Sequence, residues 1–135
     1  MDTEQELLIK EYSKNPICNY KMDNYNASFH EGNFICWDDI NVYLIIESNI
    51  IKKYSFDWNC SNITTAAASF LSEFLIWKNV NEVLTRDYNF FIKNGLDVSK
   101  KRRRALVIWL LAVRNSIHEY LKDGKKDNFD DLLDV

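Results

Sequence analysis

The hydrophobic and polar positions divide the chain into a helical start, a strand-rich middle and a helical second half. Alternation of apolar residues from Ile40 to Ile46 predicts a strand, and the polar pair Ser48-Asn49 predicts a turn. Residues 50–58 continue the alternation as a returning strand, which predicts that Trp58 packs in the core. A short polar turn between such strands is typical of an antiparallel hairpin. Residues 17–32 are polar without periodicity, so they are predicted to form an extended loop.

Helical patterns occupy both ends of the chain. An N-terminal helix is predicted to end at Asn15, because Pro16 disfavours helical backbone in the residue before it. After Cys60 the apolar spacing becomes helical, and Asn79 and Asp87 are predicted to cap shorter helices. The last helix carries one apolar stripe, formed by Leu106, Trp109, Leu110, Val113, Ile117, Tyr120 and Leu121. This order predicts an α+β fold: a small antiparallel sheet of about three strands, with an N-terminal helix and a C-terminal run of helices packed on one face.

Length and composition indicate one packed domain. The chain has 135 residues, of which 47% are hydrophobic, and we expect a domain over residues 1–124 and a short acidic tail over residues 125–135. The net charge of −3 argues against general nucleic-acid binding. No apolar run approaches the length of a membrane span, and the N-terminus does not resemble a secretion signal, so we expect a cytoplasmic protein without a membrane partner.

The cysteines supply the candidate chemistry. Three cysteines in a reducing compartment favour metal or thiol chemistry over disulfides. Cys36, Asp38 and Cys60 offer two thiolates and one carboxylate, a set suited to zinc or to iron in an iron–sulfur cluster. The alternative is that both cysteines are ordinary buried small residues. Because Cys60 stands beside the start of a helix, the helix dipole predicts a lowered thiol pKa.

The residues around these cysteines resemble the U-type iron–sulfur assembly scaffolds, the family of the NifU N-terminal domain, IscU and SufU. One block is Gly-Asn-Phe-Ile-Cys-Trp-Asp over residues 32–38, and the other is Asn-Cys-Ser-Asn-Ile-Thr-Thr-Ala-Ala-Ala-Ser over residues 59–69. The first helix also ends like the family's, in Tyr12-Ser13-Lys14-Asn15-Pro16. The similarity runs from Leu7 to Tyr120, nearly the whole chain.

The resemblance implies a scaffold or sulfur carrier rather than an enzyme. It implies work with a cysteine desulfurase, delivery to apo iron–sulfur client proteins, and iron or zinc held by Cys36, Asp38 and Cys60. Cys36 and Cys60 are then also the candidate sulfur acceptors. The alternative is a diverged family member that docks on the desulfurase without assembling clusters.

The ligand set departs from the family's pattern. The family's third cysteine falls at Arg104 or Ala105, and tryptophan and asparagine replace the glycines before Asp38 and Cys60. The interval from Cys60 to the third-ligand position is short, as in IscU. Because the third cysteine itself is missing, the resemblance does not assign the chain to the IscU or the SufU branch. The candidate substitutes for the missing ligand are Cys18, His30 and His118.

A basic segment precedes the last helix. It consists of Lys100, Lys101, Arg102, Arg103 and Arg104. The resemblance implies that it docks an acidic surface of a partner, and the plain alternative is a solvated charged turn. Arg104, at the third-ligand position, is also a candidate to pair with Asp38 and replace the metal's charge. Phosphate contacts are a third interpretation, which the acidic total charge opposes.

Overall fold

The computed structural model of the protein describes residues 3–33 and 38–134. Within them a helix, three strands and five further helices follow one another, with two short 3₁₀ turns at Leu71–Phe74 and Lys100–Arg102. The bounds are α1 Thr3–Lys14, β1 Ala27–Asn33, β2 Asp38–Glu47, β3 Ile50–Asp57, α2 Asn62–Phe70, α3 Val80–Val83, α4 Tyr88–Lys93, α5 Arg103–Leu121 and α6 Phe129–Leu133.

The sheet has three antiparallel strands in the order β1-β2-β3, which confirms the predicted α+β class. The predicted hairpin is confirmed too, since Glu47 pairs with Ile50 across a two-residue turn. Ser48 and Asn49 both have positive φ angles, 52° and 62°. Such turns match the right-handed twist of the flanking strands, which explains why two small polar residues stand there.

Strand β1 was not expected, because its sequence lies largely in the predicted loop. It pairs with β2 from Ala27 opposite Leu44 to Asn33 opposite Asp38. Ala27 is buried, whereas Phe29 and Glu31 are only partly buried, so the strand has no regular apolar alternation. The loop prediction is therefore wrong for its second half. Pairing with β2, rather than burial of its own side chains, forms this strand.

Helix α5 lies at the centre of the molecule. Every residue from Ala105 to Val113 is buried, because β1 and β2 pack on one side of the helix and α2 packs on another. The buried surface is thus wider than the single predicted stripe. Trp109 is fully buried, and its indole N–H donates to the Tyr54 hydroxyl at 2.8 Å. No helix in the described residues is both long and apolar enough to cross a lipid bilayer.

The short helices begin where their caps predicted. The side-chain oxygen of Asn79 accepts a hydrogen bond from the Asn81 amide at 2.8 Å, and Asp87 accepts one from the Asn89 amide at 2.9 Å. Both bonds satisfy amides that have no partner inside the helix. Gly95, with φ of 83°, follows the end of α4, where a glycine in the left-handed region commonly ends a helix.

The acidic C-terminal segment contains a helix that the apolar pattern did not reveal. Asn128 and Asp131 form a reciprocal capping box at the start of α6. Leu132 is fully buried, and α6 packs against α5. Phe129 and Leu133 also pack against the core, so three apolar side chains and a cap hold these few residues on the domain.

Candidate functional site

Cys60 lies in the short connection between the end of β3 and the start of α2. Its partly buried thiol donates toward the Asp39 carbonyl oxygen at 3.2 Å, and the Asp57 carbonyl oxygen lies at 3.8 Å. The Asp39 amide donates to the Asn59 carbonyl at 3.0 Å, which holds this connection against the start of β2. The thiol therefore faces the backbone of both strands.

Asp38, the first residue of β2, anchors the start of α2. Its side chain is buried, and its Oδ1 accepts a hydrogen bond from the Ser61 amide at 2.8 Å. Its Oδ2 accepts from the Ser61 hydroxyl at 2.9 Å and also contacts the Thr64 hydroxyl. Both carboxylate oxygens are thus engaged within the protein. Asp38 lies close enough to Cys60 for its charge to raise the pKa of the thiol, but its carboxylate is turned onto the helix cap.

Thr64 connects this cap to α5. Its hydroxyl lies 2.6 Å from the carbonyl oxygen of Ala105, so β2, α2 and α5 meet at one point. Of the two residues aligned with the family's third cysteine, Ala105 is therefore the one that lies against the site. The guanidinium of Arg104 instead lies over the ring of Phe129, 4.6 Å from its centroid. The suggested pairing of Arg104 with Asp38 is not formed.

The pKa of the Cys60 thiol is raised to about 12, opposite to the sequence-based prediction. Burial is the largest cause, followed by the negative charges of Asp38, Asp57 and Asp39, all of which disfavour the thiolate. These effects outweigh the stabilisation of the thiolate that was expected from the start of α2. The metal-free thiol is therefore protonated at neutral pH.

An exposed aromatic rim borders the site. His30 Nε2 lies 3.5 Å from Asp39 Oδ1, and its ring packs edge-on against Trp58 with centroids 5.2 Å apart. Trp58 is 62% exposed, so its predicted place in the core is wrong. Strand β3 ends at Asp57, and the φ angle of 97° at Trp58 ends the alternation that predicted burial.

The other predicted candidates are divided between this site and distant places. Cys36 lies outside the described residues, so its place as a ligand stays a prediction. His30 borders the site through Asp39, whereas His118 is buried and bonded to Asp123 and Asp127. Burial is the largest cause that raises the pKa of the Tyr54 hydroxyl, and the nearby Cys18 and Cys60 raise it further.

Sequence reasoning overlooked two of the three carboxylates that surround Cys60. Asp39 and Asp57 stand in neighbouring strands, and the alternation that located those strands gave no reason to group them with the thiol. The Asp38-Asp39 doublet is the only sequence signal that pointed to extra charge at this place. In the described residues, no three His, Cys, Asp or Glu side chains are already arranged to hold a metal ion.

The basic segment divides into two parts. Lys100, Lys101 and Arg102 are exposed and form a 3₁₀ turn. Arg103 lies over the Tyr88 ring and 3.9 Å from an Asp97 oxygen, and Arg104 lies over Phe129. The last two cations therefore help to fix the start of α5, and the first three face solvent.

Comparison with known proteins finds relatives by structure only. No protein-family profile matches the chain, and no curated protein sequence matches it.

Several solved structures share the fold. A nitrogen-fixing NifU-like protein (N-terminal) from Brucella abortus superposes with a TM-score of 0.72 at 15% identity, covering 87% of this chain and 94% of that one. A putative iron–sulfur cluster assembly scaffold protein for the SUF system from Fervidobacterium islandicum AW-1 has a TM-score of 0.67 at 18% identity, covering 82% and 93%. A hypothetical protein matches with a TM-score of 0.62 at 19% identity, covering 90% and 99%. The chain thus has the fold of the U-type scaffolds, as the resemblance predicted.

Proposed function

We propose that this chain is a diverged U-type scaffold that takes part in iron–sulfur cluster assembly. The observation that carries the proposal is the electrostatic setting of Cys60. Its thiol lies among Asp38, Asp39 and Asp57, which together with burial raise its pKa. A thiol within excess negative charge suits a thiophilic cation, which would neutralise both the carboxylates and the thiolate.

The donor types fit iron or zinc better than magnesium or calcium. Cys36 and Cys60 provide soft sulfur ligands, and Asp38 provides one carboxylate. Covalent connectivity keeps the Cα of residue 36 within about 7 Å of the Cα of Asp38. Ligation by Asp38 would require a bond to Ser61 or Thr64 to be exchanged for the metal. We therefore propose Cys36, Asp38 and Cys60 as the ligands. Asp38 should be the weakest of the three, because it must exchange a hydrogen bond for the metal.

The two cysteines are also the proposed sulfur acceptors. A thiolate attacks the terminal sulfur of a desulfurase persulfide, the S–S bond breaks, and the desulfurase cysteine leaves as a thiolate. Because the raised pKa keeps Cys60 protonated, Cys60 should accept sulfur slowly until a cation lowers its pKa. A cysteine desulfurase is the proposed sulfur donor, apo iron–sulfur proteins are the proposed clients, and the cytoplasm is the proposed compartment.

Purification without oxygen tests the proposal directly. Iron and zinc are measured per chain, and acid-labile sulfide is measured after incubation with ferrous iron, cysteine and a cysteine desulfurase. We expect metal and sulfide in the wild type and a strong loss of both in Cys36→Ser and in Cys60→Ser. The matched control is Cys18→Ser, which should keep both. Loss of metal in the control would show that the ligand assignment is wrong.

The second candidate function is docking on the desulfurase without cluster assembly. Two observations favour it: Asp38 is already engaged in the cap of α2, and no thiol stands at Arg104 or Ala105. A metal-free wild type whose affinity for the desulfurase is unchanged by Cys36→Ser and Cys60→Ser would establish this function. Calorimetric titration of the same variants measures that affinity.

A further inference from the structure

A groove with a basic rim runs between α1, the start of α2 and the start of α5. It consists of two adjoining cavities of about 460 and 470 Å³ that share Ile9, Asn62 and Arg102 in their walls. Ile9, Ile63 and Ala105 supply its apolar surface. The cations on its walls are Lys10, Lys14, Lys101 and Arg102. Two of these come from α1 and two from the basic segment, so only the folded chain assembles them.

These cations are not neutralised within the described part of the chain. None of the four forms an ion pair there, whereas Arg103 and Arg114 each lie beside a carboxylate. Glu6 is the one carboxylate among the residues that line the two cavities. The groove thus combines an apolar surface with uncompensated positive charge, on a protein whose net charge is −3.

Local stability does not explain the cations from the basic segment. Lys101 and Arg102 immediately precede α5, whose first turn contains no acidic residue and whose N-cap makes no side-chain hydrogen bond. Positive charge at a helix N-terminus opposes the helix dipole and costs stability. An anion bound in the groove would offset that cost.

We propose that this groove binds an acidic peptide segment of a partner protein, with carboxylates on the four cations and an apolar side chain against Ile9, Ile63 and Ala105. This inference deepens the docking role proposed above for the basic segment, but it requires no metal or cluster. It also assigns the contact to Lys101 and Arg102, with Lys10 and Lys14 of α1, rather than to the whole segment.

The lining chemistry favours a peptide over other anions. Single-stranded nucleic acid is held by aromatic side chains that stack on bases, and the described groove lining contains none. A lipid surface needs protruding apolar side chains, whereas Ile9 is buried at the base of the groove with 8% exposure. Carboxylates spaced around an apolar side chain match the cations and the aliphatic surface together.

The probe is a fluorescein-labelled peptide in which leucine alternates with pairs of Glu and Asp. Its binding to the protein is measured by fluorescence anisotropy at physiological ionic strength. The variant Lys101→Glu/Arg102→Glu should weaken binding at least about tenfold. Because both residues are exposed and glutamate suits a helix start, the same variant should melt at the wild-type temperature or higher. Loss of binding with unreduced stability separates docking from misfolding.

The matched control is Lys53→Glu/Lys93→Glu, which makes the same charge change at exposed positions outside the groove and should bind like the wild type. A peptide with serine in place of leucine should bind more weakly, and one with lysine in place of its acids should not bind. The proposal would be overturned if both double variants lost peptide binding equally, or if the serine peptide bound as tightly as the leucine peptide. It would also be overturned if the protein bound only an oligothymidine or a phosphatidylserine vesicle. Peptide binding should survive Cys60→Ser, so a failed groove and a failed metal site give different results.

Discussion

Two polar clusters in different parts of the chain use carboxylates in different ways. The thiol cluster consists of Asp38, Cys60, Ser61 and Thr64, with Asp39 and Asp57 beside it. The C-terminal ion cluster consists of Arg114, His118, Asp123 and Asp127. In the first cluster, two hydroxyls and an amide contact the Asp38 carboxylate, and the thiol contacts backbone carbonyl oxygens. In the second, the partners are a guanidinium and an imidazole.

The ion cluster balances its charges internally. Asp127 Oδ2 lies 2.9 Å from Arg114 Nε and 3.0 Å from His118 Nε2. His118 Nδ1 lies 2.7 Å from Asp123 Oδ2, so each ring nitrogen faces a carboxylate. The Lys125 amide, followed by His118, lowers the pKa of Asp123.

The thiol cluster is not balanced in this way, because the partners of buried Asp38 are an amide and two hydroxyls, and the His30–Asp39 contact of 3.5 Å lies at the exposed rim. Burial and its carboxylates raise the pKa of Cys60, whereas the Lys125 amide, followed by His118, lowers that of Asp123. Buried charge that is paired holds a fold in place, and buried charge that lacks a counterion creates affinity for one. The contrast therefore separates a structural cluster from a candidate binding site within a single chain.

The largest expected effect concerns the reactivity of Cys60. A pKa of about 12 lowers its thiolate fraction at neutral pH about a thousandfold relative to an ordinary thiol. We expect correspondingly slow alkylation in the folded, metal-free protein, and normal alkylation in urea. Mass spectrometry of the Cys60 peptide after timed exposure to iodoacetamide measures both rates. If the alkylation rate of Cys60 in the folded protein had its midpoint near pH 8.5, the thiol cluster would not raise the pKa of Cys60, and the contrast between the two clusters would be wrong.

The same shift has a consequence for stability. A thiol whose pKa is raised on folding contributes stability fully below its unfolded pKa of about 8.5, and this contribution is lost as pH rises toward 12. Metal-free Cys60→Ser should therefore lose less stability than the wild type over that range. Chemical denaturation at several alkaline pH values measures the free energy of unfolding of both proteins. The contribution of the tyrosines is common to both and cancels in the difference between them.

The next effect is at the ion cluster. Asp127→Asn leaves Arg114 and His118 without a shared counterion, and we expect a loss of about 3 kcal/mol in the free energy of unfolding. Chemical denaturation at neutral pH measures it. The control is Asp23→Asn at an exposed position, which should change stability by no more than about 0.5 kcal/mol. A loss as small as the control's would show that the internal charge balance contributes little.

A smaller effect should follow from restoring the family's third thiolate. Ala105→Cys places a thiol on the residue whose carbonyl contacts Thr64, and we expect zinc to bind about tenfold more tightly. Arg104→Cys is the matched control: its side chain lies over Phe129, so it should raise zinc affinity less. Competition with a chromogenic chelator measures both affinities. No gain in either variant would favour the docking-only function.

The smallest effect should come from Asp38→Asn. An asparagine oxygen still accepts from the Ser61 amide, and its NH₂ group can donate to the Ser61 and Thr64 hydroxyls, so we expect a loss of about 1 kcal/mol or less. Zinc affinity should fall at the same time, because a carboxylate is removed. Equal destabilisation by Asp38→Asn and Asp127→Asn would erase the distinction between the two clusters.

Much of the fold follows from local signals in the sequence. The two-residue hairpin turn, the caps at Asn79 and Asp87 and the helix stop near Gly95 were predictable because each depends on neighbouring residues and their backbone preferences. Strand β1 was not predictable in this way, because its order comes from pairing with β2 rather than from its own apolar pattern. Helix α6 was missed for a similar reason, since one buried leucine gives no periodicity.

The sequence by itself determined the order of α1, the β2–β3 hairpin and helices α2 to α5, together with the resemblance in two cysteine-containing blocks. Only the tertiary structure decided the charge state of the thiol, because burial is the largest cause of its raised pKa and the pairing of β2 with β3 brings Asp38 and Asp39 beside it. It also decided which of the two candidates for the third-ligand position lies against the site. Spacing in the sequence fixes which residue types are neighbours along the chain. The burial of a side chain and the electric field on it depend on all the elements that converge at that point.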